Sequence, residues 1–144
     1  MDSHRTDSAV AESEQLTRFL LDKRDFDLIH RTVKPRAFIP WYSRERSSFE
    51  HSVFRTETLT EDETWKAGID VAQQRGLGLL GRADLAASQV YDLGLAVHVD
   101  EPPPYHACIV GWPAGEDGEA AAARKLLAQQ LAATARLVLV LRAA

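Results

Sequence analysis

The residues best equipped for chemistry lie together at positions 105–112, a stretch with the composition of a strand. It contains His106 and, two positions later, Cys108, the only cysteine of the chain. Side chains two residues apart on a strand point to the same face, so we expect the two to be neighbours. They could form a cysteine nucleophile with a histidine base, or contribute two ligands to a metal ion. We favour a third interpretation, a small buried cysteine beside a locally hydrogen-bonded histidine, because free cysteine is among the most buried residue types.

A metal site would need about three convergent ligands. Four histidines fall in or beside predicted strands and could meet across a sheet: His30, His51, His98 and His106. Their spacing matches no zinc or iron motif such as H-E-x-x-H, so we expect neither a metal ion nor a cofactor. The glycines at 76–81 follow a predicted helix rather than a strand. They therefore indicate a helix end and turns, not a phosphate-binding loop.

Residues 31–46 form a second candidate site, with several cations and the lone acid Glu45. The cations are Arg31, Lys34, Arg36, Arg44 and Arg46, with Trp41 and Tyr42 between them. Exposed aromatic residues beside arginines are typical of protein interfaces. They could also hold phosphates and stack on bases. The plain alternative is a solvated loop whose arginines pair with the following acids, Glu57, Glu61, Asp62 and Glu63.

Length and composition indicate one domain with an ordinary core: 144 residues, 45% of them hydrophobic. The net charge of −4 argues against general binding to nucleic acids or to anionic membranes. A lone cysteine excludes an intramolecular disulfide and suits the reducing cytoplasm. The polar N-terminal segment is unlike a signal peptide, and no apolar run is long enough to span a membrane.

Local patterns divide the chain into a disordered start at 1–7, an amphipathic helix at 8–24 and a single α+β domain at 25–144. Strands are predicted at 28–33, 49–54, 77–80, 95–99 and 105–112. Helices are predicted at 60–74, 84–93 and 119–136, while 137–141 could be a last strand or the end of that helix. Thr60 and Glu63 form a capping box, and Gly76 ends the helix that follows. We expect one mixed or antiparallel sheet of about five strands, packed against two or three helices.

Short motifs make the chain resemble a family of small, uncharacterised bacterial proteins. They are Arg31-Thr32-Val33-Lys34-Pro35, Arg46-Ser47-Ser48-Phe49, Ser52-Val53, Asp100-Glu101-Pro102 and Tyr105-His106-Ala107. The layout covers about residues 28–111 and carries no known activity. It implies that Arg31, Ser47, Ser48 and His106 belong to one region of the fold. A composition rich in Ala and Arg also suits a GC-rich bacterial genome.

With no catalytic constellation in the sequence, we expect a cytoplasmic bacterial accessory or regulatory protein that binds another protein. An operon-encoded subunit of a defence or toxin–antitoxin system would fit. The partner-binding residues would be Trp41, Tyr42, Arg36, Arg44 and Arg46; nucleic acid and membrane are not expected partners, and homo-oligomerisation is left open. The alternative is a small enzyme acting on a nucleotide or RNA phosphate. There Arg31 and the arginines at 36–46 would hold the phosphate, and His106 or His51 would act as general acid or base. A thiol enzyme that uses Cys108 is a third hypothesis.

Overall fold

An antiparallel seven-stranded sheet forms the centre of the computed structural model, which describes residues 10–140. The strands of the chain are β1 (Gln15–Leu20), β2 (Phe26–Asp27), β3 (Thr32–Val33), β4 (Trp41–Ser43), β5 (Ser48–Arg55), β6 (Gly81–Ala86), β7 (Ala96–Val99), β8 (His106–Val110) and β9 (Arg136–Leu139). The helices are α1 (Glu61–Gln74), α2 (Ala87–Tyr91) and α3 (Gly118–Thr134), with 3-10 turns at Lys23–Asp25 and Pro35–Phe38. The order in the sheet is β7-β8-β5-β1-β6-β9, β4 also pairs with β5, and β2 pairs with β3 separately. The α+β prediction is confirmed, with seven strands in the sheet rather than about five.

The two faces of the sheet are covered by different helices. On one face, Leu16 and Leu20 of β1 join a buried apolar cluster that includes Phe38 and, from α3, Leu131. On the other face, α1 packs against β1 so closely that a Cβ added at Gly68 would lie 2.6 Å from the ring of Phe19. Because α1 lies over β1 and β6, the β5–β8 side of this second face is where an open site can form.

The start and end of α1 follow the sequence prediction. Thr60 Oγ1 accepts a hydrogen bond from the Glu63 amide at 3.1 Å, and Glu63 Oε1 accepts one from the Thr60 amide at 2.9 Å. This reciprocal pair is the predicted capping box. Gly76, just past the helix, has φ +67°, a conformation that glycine adopts without steric cost.

The predicted N-terminal helix at 8–24 is wrong within the described residues. Residues 15–20 form β1 and residues 23–25 a 3-10 turn. The apolar residues Leu16, Phe19 and Leu20 have helical spacing, but β1 lies inside the sheet with both faces covered. A strand in that position need not alternate apolar and polar residues. The predicted disorder at 1–7 lies outside the described residues.

Three other predicted elements change. Of the strand expected at 28–33, only Thr32–Val33 is extended, and residues 77–80 precede a strand instead of forming one. The helix expected at 84–93 begins three residues later, because Asp84 belongs to β6, where its charge is buried beside Arg82. The C-terminal ambiguity resolves as a strand, since Arg136–Leu139 pairs with β6. No helix within 10–140 combines the length and apolar character needed to cross a membrane.

Candidate functional site

His106 on β8 lies beside Ser52 on β5. The register places Phe54 opposite His106 and Ser52 opposite Cys108, so all these side chains share one face. His106 Nε2 is 2.9 Å from Ser52 Oγ, and Nδ1 is 2.9 Å from the carbonyl oxygen of Asp100. A carbonyl only accepts, so Nδ1 carries a proton, and Nε2 of the neutral ring accepts the hydroxyl proton of Ser52. This is the arrangement of a nucleophile with its general base.

The ring of His106 is fixed by further contacts. The carboxylate of Asp100 reaches within 3.4 Å of Nδ1, and the ring of Phe54 meets the imidazole edge-on at a centroid distance of 5.4 Å. Burial by itself would raise the pKa of Asp100. The hydrogen bond and charge of Arg46 outweigh it and hold that pKa below its ordinary value. Asp100 therefore keeps a negative charge beside the ring, where it would stabilise an imidazolium.

A cavity of about 170 Å³ opens in front of the Ser52–His106 pair. Its polar lining consists of Arg18, Ser52, Gln74, Arg75 and His106. Among the residues described, none that lines it is acidic. We call this space the Arg18 cavity. Two guanidinium groups without a lining carboxylate give it a positive character.

Arg18 enters the cavity because β1 and β5 separate there. The two strands pair only at Leu16 with Arg55 and at Thr17 with Phe54. One residue further along β1, Arg18 Nη1 donates instead to the carbonyl oxygen of Ser52 at 3.4 Å. Its Nε is buried and has no hydrogen-bond partner. The guanidinium thus occupies the opening between the strands with part of its donor capacity unused.

The charge of Arg18 is poorly compensated. Burial, and then the charge of Arg75, lower the pKa of Arg18 to about 10. Asp25 acts in the opposite direction, but its carboxylate forms an ion pair with Arg36. Arg18 forms no ion pair with any residue of the described chain. A half-buried cation without an ion-pair partner is stabilised when an anion is supplied.

A second, more apolar cavity of about 260 Å³ adjoins the first. Phe54, Val71, Gln74 and Pro103 line both. The rest of its apolar wall comes from Leu59, Ala67, Pro104 and Tyr105. We call this space the apolar groove. A molecule with an anionic end and an apolar body could therefore occupy both spaces at once.

Cys108 shares a face with His106, as predicted, but it is not poised as a nucleophile. The residue is fully buried, and its Sγ lies 3.5 Å from Glu50 Oε2 and 3.7 Å from Asp100 Oδ2. Burial first, and then these two carboxylates, raise the pKa of Cys108 to about 12. Since the thiolate is the reactive species, the thiol-enzyme hypothesis loses its basis at neutral pH.

The residues that could hold a metal ion are Asp100, His106 and Cys108, whose donor atoms lie within 4.8 Å of one another. A cation already occupies this neighbourhood. Arg46 donates to both carboxylate oxygens of Glu50, at 2.9 and 3.1 Å, and forms an ion pair with Asp100. The guanidinium of Arg46 thus offsets one of these two negative charges, and the thiol remains protonated.

Within residues 10–140, no other histidine joins the Asp100, His106 and Cys108 cluster, although His98 lies opposite Cys108 on the neighbouring strand. His51 is buried and donates from Nε2 to the carbonyl oxygen of Ala37 at 2.7 Å. Burial, together with the charge of Arg18, holds the pKa of His51 well below its usual value. His30 is 2.8 Å from an Asp27 carboxylate oxygen, and His98 is exposed on β7.

Arg31 lies outside the Arg18 cavity, in the exposed turn between β2 and β3, where its φ is +56°. The structure also separates the residues that the family resemblance implied to be close. Ser48 begins β5, whereas His106 pairs with Phe54 six residues further along, a separation of roughly 20 Å.

The predicted partner-binding residues differ in their exposure and in their ion pairs. Trp41 and Tyr42 lie on β4 with 40% and 52% of their surface exposed. Arg44 is exposed in the turn that follows. Arg36 instead pairs with Asp22 and Asp25, and Arg46 with Glu50 and Asp100. These two arginines thus form ion pairs within the chain, and their partners are not the acids at 57–63 that the sequence suggested.

Sequence reasoning missed Arg18 and assigned no role to Ser52. Ser52 and His106 are 54 positions apart. Only the β5–β8 register brings them together, and local patterns do not report strand pairing. The one available signal is an arginine among apolar residues in 16–20, where the helical spacing of those apolar residues predicts an amphipathic helix instead. Comparison with protein-family models, with curated proteins and with solved structures finds no match. The resemblance to small bacterial proteins therefore stays a prediction.

Proposed function

We propose that this protein binds a small organic anion in the Arg18 cavity. The observation that carries the proposal is the half-buried Arg18, whose Nε is buried and unpartnered and whose charge is not paired within residues 10–140. An anion there would meet a second cation, Arg75, and two polar side chains, Ser52 and His106. The function is thus closer to the predicted small enzyme than to a pure adaptor, with Arg18 in the place given to Arg31.

Electrostatics support an anion over a neutral ligand. Two opposite unit charges about 4 Å apart attract by roughly 4 kcal/mol at an effective dielectric constant of 20. A guanidinium also donates in a fixed fork that matches the oxygens of a phosphate or carboxylate. The adjoining apolar groove favours an anion with an apolar body over a bare inorganic ion.

The test is ligand-induced thermal stabilisation at low ionic strength, with phenyl phosphate, inorganic phosphate and benzyl alcohol as probes. Phenyl phosphate is expected to raise the Tm of the wild type most and benzyl alcohol not at all. Arg18→Gln and Arg75→Gln should each lose that response. Arg75 is exposed at the cavity rim, so its variant keeps the test valid even if Arg18→Gln does not fold. Arg44→Gln is the matched control outside the cavity. The proposal would be contradicted if Arg44→Gln loses as much of the ligand-induced rise in Tm as Arg75→Gln does. It would also be contradicted if neither anion raises the Tm of the wild type.

A second proposal, protein binding, rests on β4. Within the described chain this strand pairs only with β5, so its outer edge offers unpaired backbone groups. Trp41 and Tyr42 stand exposed on it, and tryptophan and tyrosine are over-represented at the energetic centres of interfaces. A partner could add a strand to this edge. The protein would then be a cytoplasmic bacterial accessory subunit that acts with an operon-encoded protein, for example in a defence or toxin–antitoxin system.

Purification from the native host, with and without nuclease, tests this second proposal. A stoichiometric protein partner that survives nuclease is the expected result. The double variant Trp41→Ala, Arg44→Ala should lose that partner while its Tm stays within a few degrees of wild type. Unchanged partner binding by the double variant would contradict the proposal. A second copy of this chain as the only protein that co-purifies would also contradict it.

A further inference from the structure

We infer that the Arg18 cavity is catalytic, with Ser52 as nucleophile and His106 as general base in the hydrolysis of phosphate esters. The inference rests on the anion binding proposed above and adds a reaction to it. Its starting point is the relay from Ser52 Oγ to His106 Nε2 at 2.9 Å and from Nδ1 to the carbonyl oxygen of Asp100 at 2.9 Å. Both side chains line the cavity and would touch a bound substrate.

The tautomer is the one that catalysis needs. Because Nδ1 is committed to a carbonyl oxygen, the free lone pair of the neutral ring lies on Nε2, where the Ser52 proton must go. When that proton arrives, the imidazolium gains the Asp100 carboxylate 3.4 Å from Nδ1. Asp100 is a positioning residue in this scheme, since it acts through His106 and does not line the cavity.

The location of Arg18 indicates which class of ester reacts. Its Nη1 donates to the main-chain carbonyl oxygen of Ser52, the residue that carries the nucleophile, and both residues line the cavity. The charged group of the substrate is then the group under attack, as in a phosphate ester. The apolar groove is continuous with the cavity through Phe54, Val71 and Pro103, and it would receive an apolar leaving group.

The reaction balances with water as the only co-reactant. In the first step Ser52 Oγ forms a bond to phosphorus and the bond from phosphorus to the leaving oxygen breaks. The Ser52 proton passes to His106 Nε2 and then to the leaving alcohol. In the second step water attacks the phosphoserine and gives a proton to His106. The Oγ–phosphorus bond breaks, Ser52 recovers a proton, and inorganic phosphate departs. Arg18 and Arg75 would stabilise the charge on the phosphoryl oxygens in both steps.

The experiment measures p-nitrophenyl phosphate hydrolysis by the full chain, with p-nitrophenyl butyrate as the comparison substrate. Ser52→Ala is expected to reduce phosphate-ester turnover by at least about 100-fold, as is His106→Gln. Ser48→Ala, an exposed serine on the same strand, is the matched control and should keep full turnover. Acid quench of the wild type followed by peptide mass spectrometry should find phosphate on Ser52.

Anion binding and ester hydrolysis can be lost independently, so the experiments distinguish the proposed function from this inference. Ser52→Ala should still show thermal stabilisation by phenyl phosphate, which distinguishes a lost nucleophile from a lost fold. A wild type that is stabilised by phenyl phosphate but shows no turnover and no phosphoserine would overturn this inference and leave the proposed binding function standing. Absence of both stabilisation and turnover would overturn both. Turnover of the butyrate ester alone would overturn the assignment of phosphate esters.

Discussion

Arg82 and Asp84 lie two residues apart on β6 and form an ion pair inside the protein, with Arg82 Nε 3.0 Å from Asp84 Oδ2. Both side chains are almost completely buried. Arg82 also donates to both carboxylate oxygens of Glu61, at the start of α1, at 3.0 Å each. Its guanidinium lies 4.5 Å from the centre of the Trp65 ring. The pair thus connects α1 to the sheet.

Removing one partner of this pair should be costly. Asp84→Ala removes the buried carboxylate partner of Arg82 and breaks the 2.8 Å hydrogen bond from Thr17 Oγ1. We expect a loss of about 3 kcal/mol or more in the free energy of unfolding, measured by urea denaturation. Asp70→Ala removes an exposed partner of Lys66 on α1 and should cost less than about 0.5 kcal/mol. Similar costs for the two variants would refute a structural role for the buried pair.

Gly68 marks the closest approach of α1 to the sheet. A Cβ there would lie 2.6 and 2.7 Å from two ring carbons of Phe19 and 2.9 Å from a methyl group of Leu79. Alanine favours helix by about 1 kcal/mol over glycine, but overpacking costs about 1–3 kcal/mol. We therefore expect Gly68→Ala to lower the Tm despite its better helix propensity. Gly78→Ala is the control, because nothing lies within 4 Å of its added Cβ. It should leave the Tm unchanged or slightly raised.

The buried His51 predicts acid sensitivity. Its pKa in the folded state is held well below the ordinary value by burial and by Arg18, so the unfolded chain takes up a proton first as the pH falls. The contribution of His51 to the free energy of unfolding is therefore fully present above about pH 6.5. Below that pH it declines by up to about 1.4 kcal/mol per pH unit. The difference in unfolding free energy between wild type and His51→Gln, measured from pH 7.5 to 4.5, should shrink as the pH falls. A constant difference would contradict the assignment.

Cys108 should resist alkylation in the native protein. With its pKa raised to about 12, the thiolate fraction at pH 8 is on the order of 10⁻⁴, and the residue is fully buried. Iodoacetamide at pH 8 is expected to leave Cys108 unmodified by mass spectrometry, and to modify it completely in urea. Stoichiometric modification of the native protein would instead restore a role for the thiol.

The elements that the sequence predicted well are those with a local cause. The capping box at Thr60 and Glu63 needs only three residues of separation, and β5 carries Phe49, Val53 and Phe54, residue types that suit a pleated surface. The elements that were wrong are the central strands β1 and β6. In β1 both faces are buried. In β6 the charges of Arg82 and Asp84 neutralise each other inside the protein, so their polarity misleads any pattern based on exposure.

The candidate site could be predicted only in part, for a related reason. The sequence singled out His106 because its neighbour Cys108 is two positions away. Its partner Ser52 is supplied by another strand, and Arg18 enters through a gap that exists only because β1 and β5 stop pairing. Such a gap depends on the register of whole strands, which no local motif encodes.

Because β1 and β5 pair over only two residues each, the sheet consists of two halves joined by a short stretch of strand pairing. The strands β7, β8 and β5 lie on one side and β1, β6 and β9 on the other, with two residue pairs of β1 and β5 between them. A ligand held by Arg18 from one side and by Ser52 and His106 from the other would act as a clamp across the join. Amide hydrogen exchange along β1 and β5 should then slow when a ligand fills the cavity. Ligand binding would thus make the junction between the two halves of the sheet more rigid.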